Sequence, residues 1–224
     1  MPDSSLPVPA KSESALERQL AAQRARRPAD PLLSLVVPVF NEEESIDLFL
    51  TSIEPFLDNA GLRFEIVFVN DGSSDNSLGH LLDRSARDRR VKVVNLSRNF
   101  GKEAALTAGI DHANGDILIP MDIDLQDPPE LIGPFIERWR EGYDIVYGVR
   151  SARTWDTPTK RLSAGWFYWA FNTMSPVRIP ANVGDFRLVD RRATEVLRRL
   201  PERNRFMKGL FAWVGFNAIG ASRS

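Results

Sequence analysis

Two aspartates, Asp122 and Asp124, follow a run of apolar residues in the stretch GDILIPMDIDLQDPPEL. Residues two apart in an extended backbone project from the same side, so these carboxylates are expected to lie close together and to repel each other unless a cation lies between them. Mg²⁺ and Mn²⁺ take oxygen ligands, commonly one or two carboxylates together with water and substrate phosphates. The spacing therefore predicts a site for a divalent cation and a diphosphate. The alternative, from these residues alone, is an acidic pair on an exposed loop.

A third aspartate of the same stretch, Asp127, has a structural explanation. It precedes Pro128 and Pro129. Proline is favoured in the first turn of a helix, so the sequence predicts that Asp127 caps the helix that follows. Because one capping residue is enough for one helix, Asp122 and Asp124 are left without a structural role.

Polar residues also follow three earlier apolar runs, in the segments FNEEES, NDGSSDNS and SRNFGKE. In an open parallel sheet the carboxyl ends of the strands are where ligands bind. Asn, Asp, Gly and Ser also serve in ordinary turns and helix caps, which explains any one of these loops taken alone. Lys102 opens a predicted helix in the last segment, where backbone N–H groups and a positive side chain suit a phosphate, although helix starts of this kind are common.

Several other kinds of site are excluded by the sequence. None of the 14 glycines forms a Gly-x-Gly pair, and no Gly-x-x-x-x-Gly-Lys-[Ser/Thr] loop exists, so two common nucleotide-binding motifs are missing. The chain has no cysteine, and neither His80 nor His112 has a partner at zinc-ligand spacing. A formal net charge of -1 gives no electrostatic reason to expect a nucleic-acid partner.

The elements that would position the acidic residues alternate from Leu32 onward. The runs LLSLVVPVF, FEIVFVN, VKVVNLS, DILIPMD and DIVYGVR predict strands, and helical periodicity separates them. This alternation predicts an α/β fold with a mostly parallel, Rossmann-like sheet and helices on both faces. Beyond Arg150 the alternation stops, and the sequence predicts helices over 160–174, 191–200 and 205–214 around a short strand, GDFRLVD.

The first 30 residues differ in composition from the rest of the chain. They begin rich in Pro and Ser and continue as a charged segment that predicts a solvated helix, so residues 1–30 are expected to be a flexible extension. Residues 31–224 are expected to form one principal domain. The N-terminus lacks the pattern of a signal peptide, and the longest apolar runs are far shorter than the roughly 18 residues that span a bilayer.

Six segments resemble, in order, the motifs of the family 2 glycosyltransferases of GT-A fold: VVPVFNEEESI, FEIVFVNDGSSDNS, LSRNFGKEAALTAGIDHANGD, PMDIDLQDPPELI, YDIVYGVR and NVGDFRLVDR. More narrowly, they are similar to the polyprenyl-phosphate sugar transferases, the branch that contains dolichyl-phosphate mannose synthase and the bactoprenol glucosyltransferases. The resemblance covers residues from about 33 to 216. It implies transfer of a hexose from a nucleotide-diphosphate sugar, of the UDP-glucose or GDP-mannose type, to a dolichyl or undecaprenyl phosphate. It also implies Mg²⁺ or Mn²⁺ as cofactor and a single inverting displacement.

The resemblance gives expected roles to matching positions on the donor side, and Lys102 is added from its place at a helix start. The residues expected at the nucleotide-sugar are Pro38, Asn41, Glu42, Asp71, Lys102 and Asp122. Asp124 and Gln126 are expected at the metal, since a neutral amide oxygen is an acceptable ligand for a hard cation. Asp122 and Asp124 are accordingly the expected catalytic carboxylates of the donor side.

On the acceptor side, Arg150 and Arg153 are expected to receive the diphosphate or the lipid phosphate, a task that suits the guanidinium fork, and Arg187 is a further expected phosphate ligand. Relatives suggest Asp185 as a catalytic carboxylate. A phosphate monoester has a second pKa of about 6 and needs no base near neutral pH, so with such an acceptor Asp185 is expected to orient groups. A hydroxyl acceptor would instead require a general base.

A lipid phosphate acceptor implies work at a bilayer surface. Within residues 155–224, the expected acceptor- and membrane-facing part, the segment KRLSAGWFYWAFNTM places Trp166 and Trp169 near basic residues, as interfacial helices do. The alternative is that these aromatics pack in the core. A peripheral protein on the cytoplasmic side of the membrane is expected, whereas many relatives continue into transmembrane helices. Homo-oligomerisation is left open.

Two other functions fit the same residues. The first is a family 2 transferase that acts on a hydroxyl of a glycan or a protein. The second is a nucleotide-sugar-binding module without turnover. Both would keep the same donor site, and only the acceptor or the chemistry would differ.

Overall fold

The computed structural model describes residues 13–149, 183–199 and 216–222, and within these ranges seven strands form one sheet. The strands are β1 (Leu32–Val39), β2 (Arg63–Asn70), β3 (Val91–Asn95), β4 (Ile117–Pro120), β5 (Ile145–Val149), β6 (Val183–Asp190) and β7 (Ala218–Ala221). The α-helices of these ranges are α1 (Glu13–Arg26), α2 (Ser45–Asn59), α3 (Ser77–Arg87), α4 (Lys102–His112), α5 (Ile132–Arg140) and α6 (Arg191–Arg198). A 3₁₀ turn over Pro129–Leu131 leads into α5.

The sheet has the strand order β3-β2-β1-β4-β6-β5-β7. The pairs β1–β2, β1–β4, β2–β3 and β5–β7 are parallel, whereas β6 runs antiparallel to both of its neighbours, β4 and β5. The prediction of an α/β fold with a mostly parallel sheet is confirmed. The insertion of β6 between β4 and β5 was not predicted, because a strand's pairing partners are set by contacts far away in the sequence.

The central strands are buried on both faces, which explains their nearly continuous apolar runs. On β1, Leu35 and Val37 belong to one hydrophobic cluster, and Val36 belongs to a second cluster on the opposite face, as the alternation of side chains along a strand requires. The first cluster includes Phe135 and Trp139 of α5, and the second includes residues of α4. The sheet is therefore held between two packed layers, which fixes the positions of its strand ends.

The strand register brings the polar loops of the sequence to one edge of the sheet. Val39 pairs with Asn70, and Asn70 pairs with Asn95, so β1, β2 and β3 end at the same level. Val36 of β1 pairs with Pro120, the last residue of β4, and the chain then continues toward the same edge. The loops after β1, β2, β3 and β4 consequently face a common space.

The helix predicted in the charged part of the N-terminal segment is present, but the end of this helix packs against the rest of the chain. Residues from Glu13 form α1, and the Arg27 side chain that follows it is only 9% exposed. The Arg27 guanidinium lies 4.3 Å from the centre of the Trp139 ring and donates a hydrogen bond to the carbonyl oxygen of Tyr143 at 2.7 Å. α1 also contacts the rest of the chain through Gln23, which accepts a hydrogen bond from Arg192, and through the backbone of Leu20 beside Gly142. Because α1 has no apolar face, its periodicity gave no sign of this docking.

Much of the expected membrane-facing part lies outside the described residues, including Trp166, Trp169 and the predicted helices over 160–174 and 205–214. α6, which is described, follows β6 directly and contacts it. No helix within the described ranges has both the length and the apolar character needed to cross a bilayer.

Candidate functional site

The loops after β1 and β2 are tied to each other by reciprocal hydrogen bonds. The backbone N–H of Asn41 donates to the hydroxyl of Ser73 at 3.0 Å, and the Asn41 side-chain oxygen accepts from the backbone N–H of Ser74 at 2.8 Å. Glu43 accepts in the same way from the backbone N–H of Asn76 at 2.7 Å. Asn41 has a φ of 55°, a left-handed conformation that asparagine adopts more readily than most residues. The pair of loops therefore forms one rigid wall at the sheet edge.

The loop after β3 is fixed by the buried carboxylate of Asp71. One carboxylate oxygen accepts from the N–H of Phe100 at 2.8 Å and the other accepts from the N–H of Gly101 at 2.9 Å. Next to it, Gly72 has a φ of 66°, and a Cβ built there would lie 2.3 Å from the carbonyl carbon of Arg98. The backbone of the third loop can thus approach the second only because residue 72 has no side chain.

The segment after β4 carries the acidic pair. The ammonium of Lys102, the first residue of α4, lies 2.6 Å from one carboxylate oxygen of Asp122 and 2.7 Å from the other. Asp124 is exposed and accepts a hydrogen bond from the backbone N–H of Gln126 at 3.1 Å. Leu125 between them has a φ of 57°, which is strained for a leucine, and its side chain packs against the main hydrophobic cluster. Anchorage of Leu125 in the core therefore sets the direction of the two polar residues beside it.

The prediction that Asp127 caps a helix is wrong. The 3₁₀ turn begins at Pro129 without a side-chain cap, and Asp127 instead accepts from the backbone N–H of Asp122 at 3.4 Å. Pro129 removes one of the two N–H groups that a cap at Asp127 could bind, and the turn begins one position later than predicted, with Pro128 in the N-cap position. Burial, together with the negative charge of Asp122, raises the pKa of Asp127 to about 6. Asp127 therefore belongs to the acidic group at the sheet edge.

These loops enclose a cavity of about 300 Å³. Six residues expected at the donor site line it, namely Pro38, Glu42, Asp71, Lys102, Asp122 and Asp124. Asn41 and Gln126 are not among the lining residues. Asn41 instead uses its side chain to hold the second loop.

Five lining residues were not predicted to belong to the site, namely Val39, Phe40, Asn99, Gly101 and Ile123. Phe40 is 45% exposed at the end of β1, and Phe100, beside Asn99, is 48% exposed with the Arg98 guanidinium 4.2 Å from its ring centre. The available signal was an aromatic residue in each of two loops, Phe40 next to Asn41 and Phe100 next to Gly101.

The oxygen atoms of the loop after β4 suit a divalent cation whose coordination shell also includes oxygen atoms of a bound ligand. The loop after β4 offers the carboxylates of Asp122 and Asp124 and the amide oxygen of Gln126, all hard oxygen donors. The Lys102 ammonium already shows that a cation is favoured against Asp122. Within the described ranges no group of three or more His, Cys, Asp or Glu residues could hold a metal by itself. Diphosphate oxygens and water would complete such a shell, which is the usual arrangement for Mg²⁺.

The acceptor-side predictions are less fully covered by the structure. Asp185 lies in β6, and its side chain is outside the described part. Arg187 of the same strand is buried, at 5% exposure, beside Tyr147 of β5. Arg150 and Arg153 lie outside the described residues. Their expected roles in phosphate binding stay predictions.

Similar proteins with solved structures share this architecture. Glucosyl-3-phosphoglycerate synthase from Mycobacterium tuberculosis, in complex with Mn²⁺, UDP and phosphoglyceric acid, superposes with a TM-score of 0.59 over 96% of this chain and 73% of that chain, at 22% identity. A mannosyltransferase from Pyrobaculum calidifontis, in complex with GDP-Man and Mn²⁺, gives a TM-score of 0.52 over 90% of this chain and 60% of that chain, at 18% identity. At these identities the comparisons show the fold alone, and the fold is that of the GT-A glycosyltransferases.

Closer relatives are found by sequence. An uncharacterized glycosyltransferase of Synechocystis sp. is 50% identical over 82% of this chain and 58% of its own length. The bactoprenol glucosyl transferase of Shigella phage SfV is 49% identical over 82% of this chain and 60% of its own length. The chain thus spans about three fifths of the relatives that it matches. Residues 34–198, which include every loop of the cavity, match the model described as Glycosyl transferase family 2, and the chain belongs to that family.

Proposed function

We propose that the protein is a glycosyltransferase that moves a hexose from a UDP- or GDP-linked donor to a polyprenyl phosphate. The observation that carries the donor half is the cavity in which Asp122 and Asp124 meet the loops of β1, β2 and β3. The acceptor half is supported by the relatives named bactoprenol glucosyl transferase, at 49% identity.

The donor would enter with its diphosphate toward the loop after β4. There Asp122, Asp124 and Gln126 would share a divalent cation with the diphosphate oxygens, and the cation would stabilise the negative charge of the departing nucleoside diphosphate. Phe40 offers an exposed aromatic surface to the rest of the nucleotide. The wall fixed by Asn41 and Glu43 would keep the base and ribose in one orientation, which lowers the entropic cost of the reactive geometry.

The reaction would be a single displacement at the anomeric carbon. An oxygen of the lipid phosphate forms the new bond to that carbon while the bond to the diphosphate oxygen breaks, so the configuration inverts and no covalent enzyme intermediate forms. The second pKa of a phosphate monoester is about 6, so the attacking group is mostly ionised at neutral pH and transfers no proton to the protein. In this proposal Asp185 orients the acceptor, and Arg150, Arg153 and Arg187 contact phosphate groups.

An acceptor with a long hydrocarbon chain would bring the active site to the bilayer. We propose that the segment with Trp166 and Trp169 lies at the membrane surface, on the cytoplasmic side. Basic residues beside aromatic ones in that segment support this placement.

The test is a transfer assay with UDP- and GDP-sugars, Mg²⁺ or Mn²⁺, and either undecaprenyl phosphate or an oligosaccharide as acceptor. Transfer to the lipid phosphate is expected, and Asp124→Ala should reduce it by about 100-fold or more, because a ligand that stabilises developing charge is removed. Asp83→Ala, at an exposed position on α3, serves as the matched control and should keep wild-type activity. Most activity retained in a folded Asp124→Ala protein would refute the site assignment. Transfer to the oligosaccharide alone, or UDP binding without transfer, would favour one of the two alternative functions.

A further inference from the structure

We propose that Lys102 and the divalent cation compete for the carboxylate of Asp122, and that the donor's diphosphate ends the competition by binding the ammonium. On this inference the metal binds tightly only together with the donor. The inference rests on the proposed function in one respect, namely that the donor is a nucleoside diphosphate sugar.

The ion pair between Lys102 and Asp122 involves both carboxylate oxygens. The Lys102 ammonium lies within 2.7 Å of both carboxylate oxygens of Asp122, so it faces the whole carboxylate rather than one edge of it. A divalent cation binds a carboxylate oxygen at about 2.0 to 2.6 Å. Two cations cannot share these oxygens at such distances without strong repulsion, because the interaction grows as their separation falls.

The fold holds the backbone of Lys102 in place but leaves its side chain able to move. The backbone at Lys102 is fixed, because the preceding residue, Gly101, donates its N–H to Asp71. The Lys102 side chain is 55% exposed, and Asp122 is 36% exposed at the side chain. A flexible four-carbon stem on a fixed backbone can move its ammonium between two nearby anions.

Few other protein side chains are available as ligands for the cation. Asp124, Gln126 and the half-buried Asp127 remain for the cation when Asp122 faces the ammonium. In the part of the chain that the structure describes, no group of three or more His, Cys, Asp or Glu residues could hold a metal by itself. A diphosphate supplies additional oxygen ligands to the cation and an anion to Lys102, which acts on phosphates as a point charge. Both gains require the diphosphate, so metal and donor would bind as one unit.

Competition of this kind predicts that one substitution strengthens the binding of Mn²⁺ alone and weakens the binding of UDP. In Lys102→Met, Mn²⁺ alone should bind about three- to tenfold more tightly, because Asp122 is released from its counter-ion. In the same variant UDP should bind at least about tenfold more weakly at saturating Mn²⁺, because a phosphate contact is lost. A purely structural role of Lys102 would weaken both.

The experiment measures Mn²⁺ binding to the full chain by the loss of the free-ion electron paramagnetic resonance signal, with and without UDP. Lys102→Arg, which keeps the charge, should resemble the wild type for Mn²⁺ alone. Arg138→Met is the matched control, because Arg138 is a cation on α5 that pairs with Glu141 outside the cavity. It corrects for the general effect of removing one positive charge, and thermal unfolding verifies that each variant is folded.

Unchanged or weaker binding of Mn²⁺ alone by folded Lys102→Met would overturn the inference, and so would an equal gain in Arg138→Met. Failure of the proposed function has a different signature. In that case the wild-type protein would bind neither UDP nor UDP-glucose or GDP-mannose in the presence of Mn²⁺, whatever the result for the metal alone.

Discussion

Two glycines with the same backbone conformation allow the packing of the cavity loops to be measured. Gly61 and Gly72 have φ values of 63° and 66°, so alanine is strained by a similar amount at each position. A Cβ at Gly61 would meet nothing within 4 Å. A Cβ at Gly72 would lie 2.3 Å from the carbonyl carbon of Arg98 and 2.6 Å from the backbone nitrogen of Asn99. The difference between the two alanine variants therefore isolates the contact between the loops after β2 and β3.

The expected magnitudes follow from this comparison. Alanine in a left-handed conformation costs about 1 kcal/mol, and this is the whole expected effect at Gly61. At Gly72 the backbone of Arg98 must also withdraw by about 1 Å to reach ordinary contact. Such a shift pulls the N–H groups of Phe100 and Gly101 away from Asp71, and each hydrogen bond to a charged group contributes about 1.5 to 3 kcal/mol. With both hydrogen bonds counted at the lower figure, the total for Gly72→Ala is at least about 4 kcal/mol.

Thermal unfolding by circular dichroism and UDP binding by calorimetry measure the two consequences. For a domain of this size each kcal/mol lowers Tm by about 2 to 4 °C, so Gly61→Ala should lose about 2 to 4 °C and Gly72→Ala about 8 to 16 °C. UDP affinity should fall only in Gly72→Ala, because the displaced loop lines the cavity. If the two variants match each other in both Tm and UDP affinity, the proposed packing of the loops is refuted.

Two further predictions concern residues outside the cavity. Arg27→Met should lower the free energy of unfolding by about 1 to 2 kcal/mol, because it removes the cation over the Trp139 ring and a hydrogen bond to the backbone; a Tm within 1 °C of the wild type would show that these Arg27 contacts contribute no net stability. Burial alone would raise the pKa of Glu65, but hydrogen bonds from Lys92, Ser34 and the backbone N–H of Asn114 lower it overall. The stabilisation by this carboxylate is therefore complete above its unfolded pKa of about 4.3 and is lost as pH falls through its lower folded pKa, so the Tm advantage of the wild type over Glu65→Gln should shrink below about pH 4. An advantage that stays constant from pH 7 to about pH 3.5 would contradict this assignment.

The sequence predicted those features that depend on residues close together in the chain. The alternation of strands and helices was visible because each element carries its own periodicity. Asp122 and Asp124 could be identified because their spacing and their position after an apolar run are local properties. The prediction that the polar loops after β1, β2 and β3 bind a ligand at one edge followed from the rule that open parallel sheets bind ligands at the carboxyl ends of their strands.

The features that escaped prediction depend on distant parts of the chain. Arg27 meets Trp139 across more than a hundred residues, and neither position carries a local pattern that indicates the other. Asp71 was predicted to contact the nucleotide, which stays a prediction, but nothing in NDGSSD indicates that its carboxylate holds the backbone at Phe100 and Gly101. Asp127 is an exception, because its partner Asp122 is only five residues away. It was misassigned because an acidic residue before proline is typical of a helix start, and the sequence does not show that its carboxylate turns back to the N–H of Asp122.

β6 lies in the middle of the sheet but comes late in the sequence, and this order affects folding. Every residue that lines the cavity precedes Ile145, yet β4 obtains its second neighbour only when β6, at residues 183–190, is in place. During synthesis the part of the chain that lines the cavity would therefore emerge while one edge of β4 is unpaired. An unpaired edge is a site for incorrect strand association. Closing the sheet requires contacts of long sequence separation, which slows folding. The strand that carries Asp185 and Arg187 thus also completes the sheet, and synthesis must pass beyond it before the strands around the cavity are all paired.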